Sequence, residues 1–303
     1  MTAPTPRPDG AVVVGVDGSD EGAAALRWAA DEAARRRLPL HVVHGFLWPL
    51  TGMYLGPSPE GPEGGGLAAQ AETLLADSAA QARAMCPDLA VSTELVVAAP
   101  APILVEQSRT AALVVVGHRG LGGFTGMLIG SVGVQVGAHA HCPVVVVRGD
   151  EADGVVRSTH RRRVMVGTDG SPGAAAAIGV AFEEASLRGC ELTVVHAWEP
   201  PPSAGMRDLH LRSADTTAID QTGARILGEA LASWEDKYPE VTVRRVVLHS
   251  APAKALVAES ARAELLVVGS RGRGGFTGLL LGSTGQAVLH HAACPVAIAH
   301  ADD

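Results

Sequence analysis

The chain has 303 residues, of which 47% are hydrophobic and 18% charged, a composition typical of a folded protein with room for two domains of about 150 residues. Its formal charge of −8 argues against a broadly basic face, so neither nucleic acid nor an anionic membrane is a predicted partner. No apolar run approaches the ~20 residues of a membrane span, and the first residues lack the apolar core of a secretory signal, which together predict a cytoplasmic protein.

Short apolar runs alternate with longer Ala-rich stretches through the first half of the chain. Strands are predicted near residues 11–17, 40–46, 91–97, 112–117 and 143–148, and helices near 20–37, 67–85, 101–110 and 131–141. The strands are nearly continuous apolar runs because helices cover both faces of a parallel sheet. The predicted class is therefore α/β, a doubly wound, five-stranded, Rossmann-like parallel sheet.

The first predicted strand runs into "VDGS", with Asp17 and Ser19 at its carboxyl end. A turn in which Asp17 accepts from the backbone and Ser19 caps the next helix is one explanation. An acid at the end of a parallel strand also suits a ligand site, and we favour this functional interpretation.

His44 lies near the end of the second predicted strand, and His196 takes the same place in the second half of the chain. We interpret both as packed core or strand-end residues rather than ligands. A Pro/Gly-rich segment follows at 49–66, and an equally irregular one is predicted at 199–215. A long mobile loop therefore follows this strand in each half of the chain, either as a lid or as a plain connection.

The fourth predicted strand leads into "GHRGLGGFTGMLIGS", residues 117–131, which holds six glycines in fifteen residues. It connects a buried strand to a helix, and helix N-termini attract anions, so phosphate is the predicted ligand. Gly120 would let the backbone turn its N–H groups inward, and Gly130 would let a phosphate touch the helix. Ser131 is expected to cap that helix and to donate its hydroxyl to a phosphate oxygen.

Two common nucleotide motifs do not fit this segment. No G-x-G-x-x-G occurs, because the residue three after Gly122 is Thr125, and no Lys follows Gly130 as a Walker A loop requires. The four cysteines show no metal-like spacing and are predicted to be buried thiols without chemistry.

The whole pattern occurs twice, 152 residues apart: "VVVGVDGS" at 12–19 returns as "VMVGTDGS" at 164–171. Residues 111–148 and 263–300 are identical at 22 of 38 positions. We predict domains at 1–150 and 164–303, joined by an exposed linker at 151–163. His118 is matched by Ser270 and Val16 by Thr168, so the two sites are predicted to differ in affinity.

The repeated pattern G-x2-G-x9-G-S, with "VGVDGS" at the first strand, "VVHGF" or "VVHAW" at the second and "CPV" before the last, resembles the universal stress protein family. The resemblance covers essentially the full chain as two tandem copies, and the long glycine motif is that of the family's ATP-binding branch. It implies up to two ATP molecules per chain, each with Mg²⁺ or Mn²⁺.

The resemblance also implies a set of nucleotide contacts in each copy. Asp17 and Asp169 would lie near the ribose and the metal-bound phosphates, and the backbone at Gly45 and Ala197 would hold adenine. The implied contacts of the first copy are Val16, Asp17, Gly45, Val116, Gly117, Arg119, Gly120, Gly130, Ser131 and Val132. Those of the second are Thr168, Asp169, Ala197, Val268, Gly269, Arg271, Gly272, Gly282, Ser283 and Thr284.

The expected role is a nucleotide-dependent sensor or regulator in a stress or dormancy response, with slow ATP hydrolysis at most. A fast ATPase needs a positioned base and a charge clamp, and here only the two aspartates and the loop arginines are available. Hydrolysis or adenylyl transfer, and a nucleotide-independent interaction module, remain the alternatives. The resemblance implies dimerisation through the last strand, either between the two halves or between chains, and an unidentified protein partner.

Overall fold

The computed structural model describes residues 9–45, 66–120, 130–149, 163–199, 212–272 and 281–301. The chain divides into two compact units, Met1–Asp153 and Gly154–Asp303. Most of the two predicted loops, most of the predicted linker and the middle of both glycine-rich segments lie outside the described residues.

The first unit alternates strands and helices in the predicted order. Its strands are β1 (Val12–Gly15), β2 (Leu40–Gly45), β3 (Val91–Val96), β4 (Leu113–Gly117) and β5 (Val144–Val147). Its helices are α1 (Asp20–Arg36), α2 (Leu67–Met85), α3 (Pro100–Gln107) and α4 (Ser131–His139). Every predicted element of this half is present, and the predicted α/β class is confirmed.

The second unit repeats the same series. Its strands are β6 (Arg163–Gly167), β7 (Glu191–Trp198), β8 (Val243–His249), β9 (Leu265–Gly269) and β10 (Val296–Ala299). Its helices are α5 (Pro172–Arg188), α6 (Arg212–Lys237), α7 (Pro252–Ser260) and α8 (Ser283–His291). β6 begins at Arg163, the last residue of the predicted linker. The prediction that 199–215 is irregular is wrong at its end, because α6 begins at Arg212.

Each unit contains a parallel sheet whose strand order reverses at its first strand. The order is β3-β2-β1-β4-β5 in the first unit and β8-β7-β6-β9-β10 in the second. The chain moves from β1 outward to β3 and then returns to the other side of β1. Because such crossovers are right-handed, α1 and α2 cover one face and α3 and α4 the other.

The sheet interiors are mostly apolar, as expected for strands that helices cover on both faces, with His41 of β2 and Thr193 of β7 as buried polar exceptions. Val12, Val13 and Val14 of β1 have no exposed surface, and neither have Val114 and Val115 of β4. Two thiols, Cys142 and Cys294, are buried as predicted, whereas Cys86 and Cys190 are partly exposed. None of the helices within the described residues is both long and apolar enough to cross a bilayer.

A buried serine joins the end of the third helix of each unit to the segment that leads into the last strand. Ser108 Oγ donates to Val105 O and accepts from His141 N at 2.8 Å. Ser260 Oγ does the same with Val257 O and Ala293 N. The repeated pair of hydrogen bonds holds the segment just before the last strand against the end of the third helix.

Candidate functional site

The carboxyl ends of β1 and β4 meet at the point where the strand order reverses, which is where open α/β sheets bind ligands. Val12 to Val14 of β1 pair in register with Leu113 to Val115 of β4. Asp17 follows β1, and the first glycine of the long motif, Gly117, ends β4. The topology therefore brings together the two segments that the sequence analysis singled out.

Asp17 forms the tight turn that connects β1 to α1. Its Oδ1 atom accepts from the Ser19 backbone N–H at 3.0 Å and from the Ser19 hydroxyl at 2.5 Å. Ser19 Oγ in turn accepts from Gly22 N at 3.0 Å and caps α1. The turn and the cap predicted as a purely structural explanation are both present, and both involve Oδ1 of the carboxylate.

The second oxygen of Asp17 faces the glycine motif. A Cβ atom built on Gly120 would overlap Asp17 Oδ2. The second unit repeats this geometry, since a Cβ on Gly272 would lie 2.6 Å from Asp169 Oδ2, while Asp169 Oδ1 accepts from Ser171 N at 2.9 Å. Glycine at these positions lets the motif approach the carboxylate closely.

The motif returns to the sheet at Gly130. Gly130 N donates to His118 O at 2.9 Å, and Gly282 N donates to Ser270 O at 3.0 Å in the second unit. Gly130 and Gly282 are the N-caps of α4 and α8, and neither helix has a side-chain cap within the described residues. The prediction that Ser131 caps its helix is therefore wrong, because the extended backbone at Gly130 takes that place and puts Ser131 in the first turn.

The start of α3 closes the other side of the site. A Cβ on Gly45 would lie 2.9 Å from Pro100 Cα, and one on Gly15 would lie 2.9 Å from Leu104 Cδ1. The absence of side chains at these two strand ends lets α3 sit directly over the sheet. In the second unit Leu256 lies against Gly167 in the same way, but Ala197 stands where the first unit has Gly45.

These segments enclose a cavity of about 280 Å³ in the first unit. All ten residues predicted as nucleotide contacts of this copy line it, namely Val16, Asp17, Gly45, Val116, Gly117, Arg119, Gly120, Gly130, Ser131 and Val132. The cavity is also lined by Gly15, Gly22, Val43, Pro100, Leu104 and Gly133, which were not predicted. The recurrence of Pro100 as Pro252, 152 residues later, was the one sequence signal for this wall.

The ten predicted residues of the second unit occupy the corresponding places. Asp169 follows β6, Ala197 lies near the end of β7, and Gly269 ends β9. Ser283 and Thr284 begin α8 after the cap Gly282. The buried residue Thr168 accepts from Gly170 N through its hydroxyl oxygen at 3.2 Å, a contact that Val16 cannot make.

The charges around the two sites differ. In the first unit Arg119 is half-buried, and the buried His118 has its Nε2 atom 3.3 Å from Arg148 Nη2. An arginine only donates, so His118 accepts through Nε2 and is neutral in this arrangement. In the second unit Arg271 is exposed, and Ser270 and His300 stand where the first has His118 and Arg148.

The arrangement brings a carboxylate, glycine backbone and a helix start without a side-chain cap to one cavity. Such a combination suits a polyanion bearing hydroxyl groups, because the carboxylate accepts from hydroxyls and the helix start donates to oxygen anions. No cluster of three or more metal-ligating side chains occurs among the described residues.

Comparison with known proteins accounts for the duplicated architecture. The model of the universal stress protein family matches residues 10–148 and again 160–300. A universal stress protein of Mycobacterium tuberculosis H37Rv is 43% identical over 305 residues, which cover 97% of this chain and 98% of that protein. A universal stress protein of Mycolicibacterium smegmatis is 38% identical over 296 residues, covering 95% and 96%.

A solved structure agrees in fold across both units. The crystal structure of a universal stress protein from Archaeoglobus fulgidus superposes with a TM-score of 0.67 and 21% identity, covering 97% of each chain. At that identity the likeness shows the fold alone. The family match to both halves and the identity to the mycobacterial proteins go further: this chain belongs to the universal stress protein family, as a tandem member with two copies of the family domain.

Proposed function

We propose that each unit binds one adenine nucleotide, ATP in preference, and that the chain is a nucleotide-dependent regulator in a stress or dormancy response. The observation that carries this proposal is the convergence of ten motif residues, spread from Val16 to Val132, on one cavity of about 280 Å³. Pockets of this size and mixed apolar and polar lining suit small-molecule ligands. The free cysteines are in keeping with a reducing, cytoplasmic location.

The nucleotide would lie across the cavity with its two ends in different surroundings. The apolar wall of Gly45, Pro100 and Leu104 suits the base, and the uncapped start of α4 suits the phosphates. Asp17 follows β1, which lies between β2 and β4 in the sheet, so its carboxylate would lie between the two ends of the nucleotide and could contact a ribose hydroxyl or a bound cation.

A divalent cation fits this donor set. Mg²⁺ usually keeps several waters and binds through one or two carboxylates together with substrate phosphates. Asp17 and Asp169 each supply one such carboxylate. Bound there, the ion would neutralise phosphate charge, and the protein's part would be to hold the carboxylate at the loop.

Regulation rather than rapid hydrolysis is the activity we propose. Of the described residues that line the cavity, Asp17 and Arg119 are the ionisable ones, and Asp17 already accepts two hydrogen bonds at one oxygen. Efficient phosphoryl transfer needs a base that orients water in addition to a charge clamp. We therefore propose slow turnover at most, and a surface altered by nucleotide that contacts a protein partner or a second chain.

The test uses alanine at the two helix caps. A Cβ on Gly130 would have its nearest neighbour at 3.5 Å, and one on Gly282 at 3.8 Å, so both changes fit the folded protein. The added methyl would nevertheless stand where a phosphate meets the helix start. We expect each substitution to weaken ATP binding at its own site by about tenfold or more, measured by calorimetry with Mg²⁺ after bound nucleotide has been removed.

Gly228→Ala provides the matched control. Gly228 lies in α6, and a Cβ there would have no described atom within 4 Å, so this variant should bind two nucleotides as the unaltered chain does. The nucleotide released on denaturing freshly purified protein identifies the ligand directly. If the unaltered chain releases none and gives no heat with ATP and Mg²⁺, the nucleotide proposal fails.

A further inference from the structure

The histidine at the end of the second strand makes the same unusual contact in both units. His44 Nδ1 lies 2.7 Å from Val16 O, and His196 Nδ1 lies 2.9 Å from Thr168 O. Each contact joins residues 28 positions apart in the chain. The carbonyl groups belong to the residues directly before Asp17 and Asp169, so each histidine reaches the backbone unit that carries the site carboxylate.

The chemistry of this contact determines the proton position on the ring. A carbonyl oxygen only accepts, so Nδ1 must carry the proton and donate. The bond is present whether the ring is neutral or charged, because Nδ1 is protonated in both forms. The contact is therefore a fixed structural link rather than a pH switch.

The link completes a clamp on the residue before the aspartate. Val16 N donates to Val43 O at 3.0 Å, and Thr168 N donates to Val195 O at 2.9 Å. Together with the histidine, the second strand thus holds both the N–H and the C=O of this residue beyond the end of the first strand. The peptide plane that leads into Asp17 is fixed from the second strand.

The position of that peptide plane decides where the carboxylate points. Asp17 Oδ1 is held by the backbone and hydroxyl of Ser19, while Oδ2 faces Gly120 so closely that a Cβ there would overlap it. A small rotation of the peptide before Asp17 would move Oδ2 relative to the glycine motif. Misplacement of a site group by an ångström is known to be costly even when its chemistry is intact.

We propose that His44 and His196 are positioning residues, which aim the carboxylates of Asp17 and Asp169 at the glycine motif through the preceding carbonyl. The second unit adds a contact with α6, the helix that comes after β7 in the chain. A Cβ on Gly223 of α6 would lie 3.2 Å from His196 Cδ2, so the imidazole is packed between α6 and the end of β6. The consequence for ligand affinity rests on the proposed nucleotide function, but the positioning of the carboxylate does not.

The first test needs no nucleotide. The Ser19 amide donates to Asp17 Oδ1, so its hydrogen exchange reports how well the turn is held. We expect His44→Leu to speed exchange in the segment 17–22 by about tenfold, and His44→Asn to restore most of the protection, because an Asn amide can place its N–H group near the position of Nδ1. The turn at 169–174 in the same molecule is the internal control, and it should change only in His196→Leu.

A control in the same strand separates positioning from general loosening. His41 is fully buried and contacts Ser92 and Glu94 through its ring. We expect His41→Leu to speed hydrogen exchange in β2 but to leave exchange in the segment 17–22 unchanged. The proposal is overturned if His44→Leu leaves this exchange unchanged, if His44→Asn loses as much protection as His44→Leu, or if His41→Leu has the same effect.

The second test addresses the ligand. With binding at the other site weakened by Gly282→Ala, we expect His44→Leu to weaken binding of ATP with Mg²⁺ at the first site by about three- to tenfold and His44→Asn by less than about twofold. Unchanged affinity in His44→Leu would overturn the link to binding. Absence of binding by the unaltered chain would instead contradict the nucleotide function, and the exchange result would still decide the positioning role.

Discussion

At the scale of single residues, Cys142 shows how burial changes a side chain at the start of β5. The thiol is buried and lies 3.5 Å from Pro143 O, to which it donates. Burial raises the pKa of Cys142 from its ordinary value of 9.0 to about 12, because a thiolate is poorly solvated in an apolar interior. The thiol therefore stays protonated and unreactive at neutral pH.

This pKa predicts a loss of stability at alkaline pH. The unfolded chain releases the proton near pH 9 and the folded chain only near pH 12, so the contribution is fully present below pH 9 and declines above it by about 1.4 kcal/mol per pH unit. We expect the stability advantage of the unaltered chain over Cys142→Ala, measured by urea unfolding, to shrink between pH 8 and pH 10.5. A constant difference across that range would contradict the assignment.

The residues of the site divide into those that sequence reasoning could reach and those that it could not. Gly117, Gly120 and Gly130 could be predicted from the sequence because the same spacing of glycines occurs in both halves of the chain, and all three line the cavity. The prediction that Ser131 caps its helix was wrong, since the capping position depends on the backbone conformation of Gly130. The hydrogen bond from His44 to Val16 O could not be predicted from the sequence, because it depends on the alignment of two strands.

At the scale of elements, the first helix of each unit carries a buried ion pair one helical turn before its end. Glu32 in α1 has 1% of its side chain exposed and accepts from Arg36 Nε at 2.6 Å. Glu184 and Arg188 repeat the pair in α5, where Glu264 adds a second carboxylate at 3.3 Å from Arg188 Nε. Burial makes each partner dependent on the other, because an isolated charge in this position would be poorly solvated.

We therefore expect Glu32→Ala to lower the free energy of unfolding of the first unit by about 3–5 kcal/mol. Glu106→Ala is the matched control, because Glu106 and Arg109 form a pair of similar spacing at 3.0 Å but with most of both side chains exposed. That change should cost less than about 1 kcal/mol. Equal losses in the two variants, measured by urea unfolding, would show that burial does not set the strength of the pair.

Element boundaries were predicted well where composition changes sharply and less well elsewhere. The valine runs of β4 and β5 located these strands to within one residue. Helix α1 ends one residue earlier than predicted, because Arg37 adopts a left-handed conformation with φ of 57°. The counterpart of Arg37 in the second unit is Gly189, with the same φ. A residue type that marks the end of the helix is therefore present in the sequence of the second copy only.

At the scale of the whole molecule, duplication has kept the fold of the two units while changing the charge around each candidate site. The first turn of α1 carries Asp20 and Glu21, whereas the first turn of α5 has no acidic residue. Glu21 lies against Gly117 at the end of β4, with its main chain 2.9 Å from a Cβ built there. Gly173 is the counterpart of Glu21 in the second unit. A Cβ on Gly173 would lie 2.5 Å from Arg271 O, so the backbone of the glycine motif occupies the space that the Glu21 side chain fills in the first unit.

Counting the nearby charges gives the sign of the difference. The first site has three acids, Asp17, Asp20 and Glu21, and two arginines, Arg119 and Arg148, for a net charge of −3 + 2 = −1 with histidine neutral. At the corresponding positions within the described residues, the second has one acid, Asp169, and one arginine, Arg271, for a net charge of −1 + 1 = 0. If the sites bind nucleotide as proposed, a triphosphate without a cation would therefore be repelled more strongly at the first site.

The resulting prediction is that the two sites depend differently on divalent cations. Removing Mg²⁺ with a chelator should weaken ATP binding at the first site about tenfold more than at the second, with the gap narrowing at high salt. Gly130→Ala and Gly282→Ala each leave one site to be measured alone by calorimetry. Asp20→Asn with Glu21→Gln, which changes charge without changing side-chain shape, should bring the cation dependence of the first site close to that of the second. Two outcomes would contradict this prediction: ATP binding that weakens equally at both sites on chelation, or a double substitution without effect. In either case the acidic first turn of α1 does not determine the cation dependence of the first site, and the charge difference between the copies has no bearing on nucleotide binding.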